Sequence, residues 1–156
     1  MQIGHRKIGP NEKPLVIAEI GINHGGDLAV AKHMVELAAR SGCECIKHQT
    51  HFVEDEMTEA AKQIFPPNAD MSIWDVMASC ALSKDDEIAL KAYTEDLGLI
   101  YLSTPFSRAA SDFLEEIGVP GFKIGSGECN HVPLIRHIAS FGKPIIMSTG
   151  MQTVDS

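Results

Sequence analysis

The apolar positions of this chain fall into five short continuous runs, and between them lie four helical stretches that each end at a glycine. Leu15-Val16-Ile17-Ala18-Glu19-Ile20 is a run of the kind buried on both faces in a parallel sheet. Cys43–His48, Leu99–Ser103, Gly121–Ile124 and Pro144–Ser148 repeat it. Between the runs the apolar period lengthens to that of a helix. Asp27 caps a helix expected to bury Val30, Met34, Leu37 and Ala38 and to stop at Ser41-Gly42. Ser83, with Asp86 and Glu87 in the first turn, opens a helix running to Gly98. Ser107–Ile117 is a helix stopped by Gly118, and Val132–Phe141 is one stopped by Gly142. Helix, glycine, strand thus recurs at Gly42, Gly98, Gly118 and Gly142, a run of βα units whose right-handed crossovers make the sheet parallel.

Two stretches break the rhythm. Gln2–Ile8 reads as a short strand or half of a hairpin before the turn at Gly9-Pro10-Asn11. Residues 49–83 form a long connection with a Pro66-Pro67-Asn68 turn and helical pieces at Met57–Ile64 and Ile73–Cys80. Met71, Trp74 and Met77 make it an ordered flap rather than a free loop.

Parallel βα units build either a doubly wound sheet or a barrel. No Gly-x-Gly-x-x-Gly follows the first strand, which disfavours the dinucleotide-binding version. The strands also share a polar carboxyl edge: Glu19, Lys47 with Gln49, Ser103 with Thr104, Lys123 with Ser126, and Ser148 with Thr149. In a barrel those edges ring one mouth, where active sites sit. The expected class is α/β, a (β/α)8 TIM barrel. Because such barrels usually need about 250 residues, the chain reads as one truncated to about the first five βα units.

Composition narrows the partners. The net charge of −8 argues against nucleic acid or an anionic membrane surface, and no run approaches the length of a membrane helix. Met1–Lys7 has no apolar stretch after its basic residues, so no signal peptide is expected. Cys43, Cys45, Cys80 and Cys129 have no zinc-knuckle spacing and read as free thiols. The expected location is cytoplasmic.

The candidate chemistry centres on Phe122-Lys123-Ile124-Gly125-Ser126-Gly127-Glu128, a lysine in an apolar strand followed by glycines around a hydroxyl. Burying a lysine is costly unless an anion meets it, and Gly-Ser-Gly lets backbone N–H groups come close to a ligand. Side chains alternate along a strand. With Lys47 inward, Gln49 is inward too and His48 points to the helices; Ile17 with Glu19, Leu102 with Thr104, and Ile146 with Ser148 face the axis by the same count. Two lysines that close repel unless a multiply charged anion, such as a small phosphorylated acid, sits between them. The bland alternative is that each lysine reaches solvent at its strand end. Asn23 and His24 lie where a first-strand loop reaches the mouth, as substrate contacts or as plain turn residues. His33 and His137 read as surface positions, His131 as a helix cap, and Phe106 and Met77 as pocket walls or packing.

The residues resemble a known family. Ile17-Ala18-Glu19-Ile20-Gly21-x-Asn23-His24-Gly25-Gly26, Ile46-Lys47-His48-Gln49-Thr50, Ser103-Thr104-Pro105-Phe106, Lys123-Ile124-Gly125-Ser126-Gly127-Glu128 and Ser148-Thr149-Gly150-Met151 are similar to the N-acetylneuraminate (sialic acid) synthases, in the family's order. Glu54-Asp55-Glu56-Met57 and Pro67-Asn68-Ala69-Asp70 look like the bacterial sialic and legionaminic acid branch rather than the pseudaminic one. The resemblance implies condensation of phosphoenolpyruvate with an open-chain N-acetylated amino sugar to a nine-carbon 2-keto acid and phosphate. It implies that Lys47, Lys123, Ser126 and Ser148 hold the phosphate, with Thr104 near the carboxylate. Gln49 and Glu19 would face the sugar, Glu19 helping its developing alkoxide, and Asn23, Phe106 and Glu128 complete the substrate-facing set. A divalent metal, Mn²⁺ or Mg²⁺, would polarise the sugar aldehyde. In the family its two histidine ligands come from later strands, and a C-terminal antifreeze-like domain caps the partner subunit's barrel in a homodimer. Neither region is expected in this chain, and none of its seven histidines is assigned as a ligand. Two rivals stand beside this reading: a Schiff-base aldolase with Lys123 as the amine, and an inactive fragment.

Overall fold

The computed structural model describes residues 1–67 and 69–155; Asn68 of the expected proline turn and Ser156 lie outside the described residues. The chain opens with an antiparallel hairpin, β1 (Gln2–Ile3) and β2 (Arg6–Lys7), so the amino-terminal run is a whole hairpin. Five parallel strands follow: β3 (Ile17–Gly21), β4 (Cys45–Thr50), β5 (Ile100–Pro105), β6 (Phe122–Ile124) and β7 (Ile145–Met147). They lie in the sheet in chain order. A doubly wound sheet reverses at a switch point. This order has no reversal, so every crossover moves the same way round, as in a barrel.

Among the described residues six α-helices pack around the strands: α1 (Leu28–Arg40), α2 (Val53–Glu56), α3 (Ile73–Cys80), α4 (Lys84–Asp96), α5 (Arg108–Glu116) and α6 (Val132–Ser140). The caps expected from Asp27 and Ser83 are made, and Ser107 adds another. The Asp27 carboxylate accepts from the N–H groups of Ala29 and Val30 at 2.7 and 3.1 Å. Ser83 and Ser107 each accept from an N–H three residues on, at 3.1 Å. At the carboxyl ends Gly42, Gly98, Gly118 and Gly142 all take left-handed φ values, between +69° and +82°.

The buried face of α1 differs from expectation. It is Ala31, Val35 and Ala38, whereas Val30 and Leu37 are exposed. Lys32, His33, Glu36 and Arg40 take one side of the helix and apolar residues spread over the wide remaining arc, so periodicity alone leaves open which part of that arc meets the core. The long connection is folded, but Met57–Ile64 is not one helix: α2 begins earlier, at Val53, and a 3₁₀ helix covers Glu59–Gln63. The Ile73 N–H donates to the Ile64 carbonyl at 2.8 Å, and Lys62 lies 4.4 Å over the Trp74 ring. Met71, by contrast, is exposed.

Two apolar clusters flank the sheet. The larger, with Ile20, Val35, Ile46, Leu90, Tyr101, Leu114, Phe122 and Ile138, joins its convex face to the helices. The smaller holds Ile3, Cys45, Ile100 and Leu102, with Ile8, Leu15, Ile17 and Ile146 against it, on the concave face. Ile3 comes from the hairpin, and Arg6 ties that hairpin to Glu44 at 2.7 Å. Ile17, Cys45 and Ile100 share one register level near the strands' amino ends. The concave face therefore has an apolar floor closed by the hairpin, which leaves polar groups to the carboxyl end. Burial pushes the Cys45 thiol up to about 12, so it behaves as a packing group. All four cysteines are free. No helix among the described residues is long and apolar enough to cross a membrane.

Candidate active site at the carboxyl ends of the strands

Above the apolar floor the register stacks polar residues in layers. Glu19 pairs with Lys47 on the neighbouring strand and Lys47 with Leu102, while Gln49 lies level with Thr104. Lys47 Nζ donates to Glu19 Oε1 in a short ion pair. Further round the arc, Lys123 on β6 is only 9% exposed and donates to Ser148 Oγ at 2.7 Å and to the Ile124 carbonyl at 2.5 Å. Its pKa is lowered, first by burial and then by the charge of Lys47, with Glu19 and Cys129 pulling the other way. The two ammonium groups thus share one electrostatic field on the concave side.

The other expected residues gather round this pair to differing degrees. The Thr104 hydroxyl is buried with no protein partner, and its methyl group would meet a Cβ on Gly125 at 3.9 Å. Gly125 is extended, and Ser126–Glu128 makes a single 3₁₀ turn. A Cβ on Gly150 would stand 2.9 Å from Ser126 Oγ, so that glycine leaves room for the hydroxyl. At the other side the register shifts between Glu19 and Gly21. The Cβ that Gly21 lacks would touch Gln49 Nε2 at 3.5 Å, Glu19 Oε1 at 3.6 Å and Asn23 Nδ2 at 3.8 Å, which places these three side chains together. Asn23 also donates to the Ile20 carbonyl at 3.0 Å, tying the turn.

Glu128 and Phe106 share a cleft. With Glu56, Met57, Asn130 and His131 they line an open cleft of about 570 Å³. Glu128 Oε2 lies 3.1 Å from His131 Nδ1. His131 makes no side-chain cap, contrary to expectation; this carboxylate takes its ring instead. His137 is likewise not a free surface group, because Asp112 of α5 holds its Nε2 at 2.6 Å and Phe141 meets its ring edge-on. His33 is exposed beside Glu36. His24 is buried in its turn, accepting from the Gly26 N–H at 3.1 Å with its ring 5.1 Å from that of His48.

Residues outside the expected set matter as much. His51 and Glu56, spaced like any strand-to-helix pair, meet as a buried pair with Nδ1 2.9 Å from Oε1. The ring also lies 3.1 Å from Gln49 Oε1 and stacks on Phe106 at 4.4 Å. Behind the sheet, Thr50 and Tyr101 donate to the buried carboxyl of Glu87 from α4, and the Ser103 hydroxyl bonds that of Thr50. Burial pushes Glu87 up to about 7, while hydrogen bonds from Thr50 and Tyr101 act to lower it. His48 points to this helix layer, as strand alternation requires, and burial drives its pKa down to about 3. This network grips β4 and β5 where Lys47, Gln49 and Thr104 leave on the opposite face.

Two lysines, the hydroxyls of Thr104, Ser126 and Ser148 and the Glu19 carboxylate thus lie at the carboxyl ends of the parallel strands, with donors of the kind that can receive an anion. The model of the NeuB family matches residues 34–156, most of the chain. The chain belongs to the NeuB family. Human N-acetylneuraminate-9-phosphate synthase is 33% identical to it over 156 residues, 97% of this chain and 43% of the human protein. N,N′-diacetyllegionaminic acid synthase of Legionella pneumophila is 35% identical over 154 residues, 95% of this chain and 43% of its own length. Among solved structures, N-acetylneuraminic acid synthetase from Leptospira borgpetersenii, crystallised with citrate, superposes with a TM-score of 0.85 at 29% identity. That match covers 99% of this chain and 51% of the other. This NeuB chain therefore spans less than half the length of those two curated relatives.

A divalent metal does not fit the described residues. No three His, Cys, Asp or Glu side chains among them come together as ligands. The His51–Glu56 and His131–Glu128 contacts are pairs, with each carboxylate already engaged by its histidine.

Proposed function

We propose that this NeuB chain carries the phosphoenolpyruvate half of a synthase that condenses phosphoenolpyruvate with an open-chain N-acetylated amino sugar. The products are a nine-carbon 2-keto sugar acid of the sialic or legionaminic type and phosphate. The observation that carries the reading is the buried Lys123, held by Ser148 and within the field of Lys47 on one concave face. Glu19 is one carboxylate against two ammonium groups on that face, and a phosphate dianion offsets their remaining repulsion and their desolvation together.

The chemistry of the residues follows from that placement. Lys47, Lys123, Ser126 and Ser148 receive the phosphate, and the unpartnered hydroxyl of Thr104 is a donor for the substrate carboxylate. Lys47 is paired with Glu19 in the free protein. An arriving dianion competes for Lys47 and frees the Glu19 carboxylate to face the sugar beside Gln49 and Asn23. C3 of phosphoenolpyruvate then bonds to the aldehyde carbon, leaving an alkoxide on the sugar and an oxocarbenium at C2. Water adds at C2 and gives up a proton, which the Glu19 carboxylate takes and passes to the alkoxide; the C2–O bond to phosphate then breaks as the new C2 hydroxyl loses its proton to the departing phosphate and becomes the ketone. The Mn²⁺ or Mg²⁺ that the sialic acid synthase resemblance implies has no ligand set among the described residues. A homodimer in the complete protein and a cytoplasmic setting belong to the same proposal.

The test is phosphate release and keto-acid formation from phosphoenolpyruvate and N-acetylmannosamine by the protein of the complete reading frame, with Lys123→Met as control. Turnover equal in wild type and Lys123→Met would overturn the reading. One observation favours a second enzyme class: a buried lysine with a lowered pKa can act as a Schiff-base amine. Borohydride trapping with pyruvate separates the two, a stable adduct on Lys123 marking an aldolase.

A further inference from the structure

His51 follows β4 directly and by alternation falls on the same inward side as Lys47 and Gln49. Its ring joins two groups that are otherwise unconnected. Nδ1 lies 2.9 and 3.1 Å from the two carboxylate oxygens of Glu56, and Nε2 lies 3.1 Å from Gln49 Oε1. The His51 and Glu56 side chains are 3% and 4% exposed, so little of the pair meets solvent. Phe106 lies flat against the ring, 13° from parallel, and sets its plane. A carboxylate oxygen only accepts, so Nδ1 carries a hydrogen. Across the ring, the orientation of the Gln49 amide depends on what surrounds its other end. There Gln49 Nε2 shares the space over Gly21 with the Glu19 carboxylate. An NH₂ group beside a carboxylate is the favourable sense; the reverse would set two acceptors against each other. Gln49 Oε1 must then receive a hydrogen from His51 Nε2, and the ring donates at both ends.

We propose that Glu56 and His51 form a positioning relay that locks the Gln49 carboxamide with its NH₂ turned into the mouth, so that the site offers the amino sugar a donor beside Glu19. The inference rests on the synthase reading. Neither relay residue touches the reacting atoms: Glu56 orients the ring, the ring orients the amide, and the amide meets the substrate. Without the relay the amide rotates, and half of its orientations present an acceptor next to Glu19.

Two measurements test the relay. In the complete protein labelled with ¹⁵N-histidine, the His51 signals are identified by their loss in His51→Phe. Both ring nitrogens are expected to carry hydrogen, and Gln49→Met is expected to shift Nε2 while leaving Nδ1 in place. An unprotonated Nε2, or one indifferent to Gln49→Met, overturns the proposal whatever the enzyme does. The second measurement is kinetic. His51→Phe keeps the stack on Phe106 but loses both nitrogens. It is expected to raise KM for the amino sugar by roughly ten- to a hundredfold, the range of one or two lost hydrogen bonds, with KM for phosphoenolpyruvate unchanged. Glu56→Ala should do the same and Glu56→Asp should restore part of the loss. In the Gln49→Met background His51→Phe should add almost nothing, because the relay acts only through that amide. Additive losses, or equal losses for both substrates, would make the pair structural and overturn the relay. If wild type turns over neither substrate, the synthase reading fails while the NMR result still decides the hydrogen-bond chain.

Discussion

Glu87 and His48 lie with Oε2 and Nε2 4.0 Å apart behind β4, and protonation of the two groups pulls stability in opposite directions. Glu87 is raised from 4.5 to about 7, so between those values the folded state binds more protons and stability falls as pH rises. His48 is lowered from 6.5 to about 3, so its contribution is complete above 6.5 and is lost as pH falls toward 3. From about 4.5 to 6.5 the two slopes oppose each other. Glu87→Gln keeps an acceptor for Thr50 and Tyr101 and removes one titration. It is expected to stabilise the protein by up to about 3 kcal/mol above pH 7, with the gain vanishing below about pH 4.5. Urea unfolding of both proteins at stepped pH checks this, and a gain independent of pH would show that Glu87 does not titrate there. On the concave face Lys123→Met keeps the length of the buried side chain and deletes its charge. It is expected to leave folding intact and to cost about 2 to 4 kcal/mol in phosphoenolpyruvate binding and turnover, read from kcat/KM of the complete protein.

At the scale of elements, the turn from β3 to α1 is held against the end of α3 by one close approach. Gly26 has φ +80°, and a Cβ there would meet the Ser79 carbonyl oxygen at 2.5 Å. Gly25 next to it has φ +58° with nothing within 4 Å. Gly25→Ala therefore carries only the left-handed backbone cost, about 1 to 2 kcal/mol, whereas Gly26→Ala must also push the long connection off the barrel wall. The expected order is a clearly larger loss for Gly26→Ala, with faster hydrogen exchange across Ile73–Cys80 in that variant alone. Equal losses would mean that the connection does not lean on this turn.

On the scale of the whole molecule, the described sheet is an arc with two edges. β5 at its centre is buried throughout, while β7 is only partly buried and its last residue is exposed. β3 and β7 each pair on one side only. Unpaired parallel edges beside an apolar floor are surfaces for association. A polypeptide of these 156 residues alone is expected to self-associate and to make no nine-carbon acid. Light scattering after size exclusion, together with a product assay, checks both, and a stable, active monomer would contradict the expectation.

Much of this architecture is legible in the sequence because it is local. Strand alternation turns Lys47 and Gln49 to one face and His48 to the other, and the serine caps and stopping glycines need only their own neighbours. Strand order is not local, since a barrel and a doubly wound sheet draw on the same βα units and differ only in which way each crossover turns. The buried face of α1, Ala31 with Val35 and Ala38, is likewise one part of a wide apolar arc that only packing selects. The pairing of His51 with Glu56, and of Glu87 with Thr50 and Tyr101, left no signal in composition or period. A carboxylate on a helix reads as a solvated group until packing removes the water around it, and only the tertiary structure decides which polar neighbours replace that water.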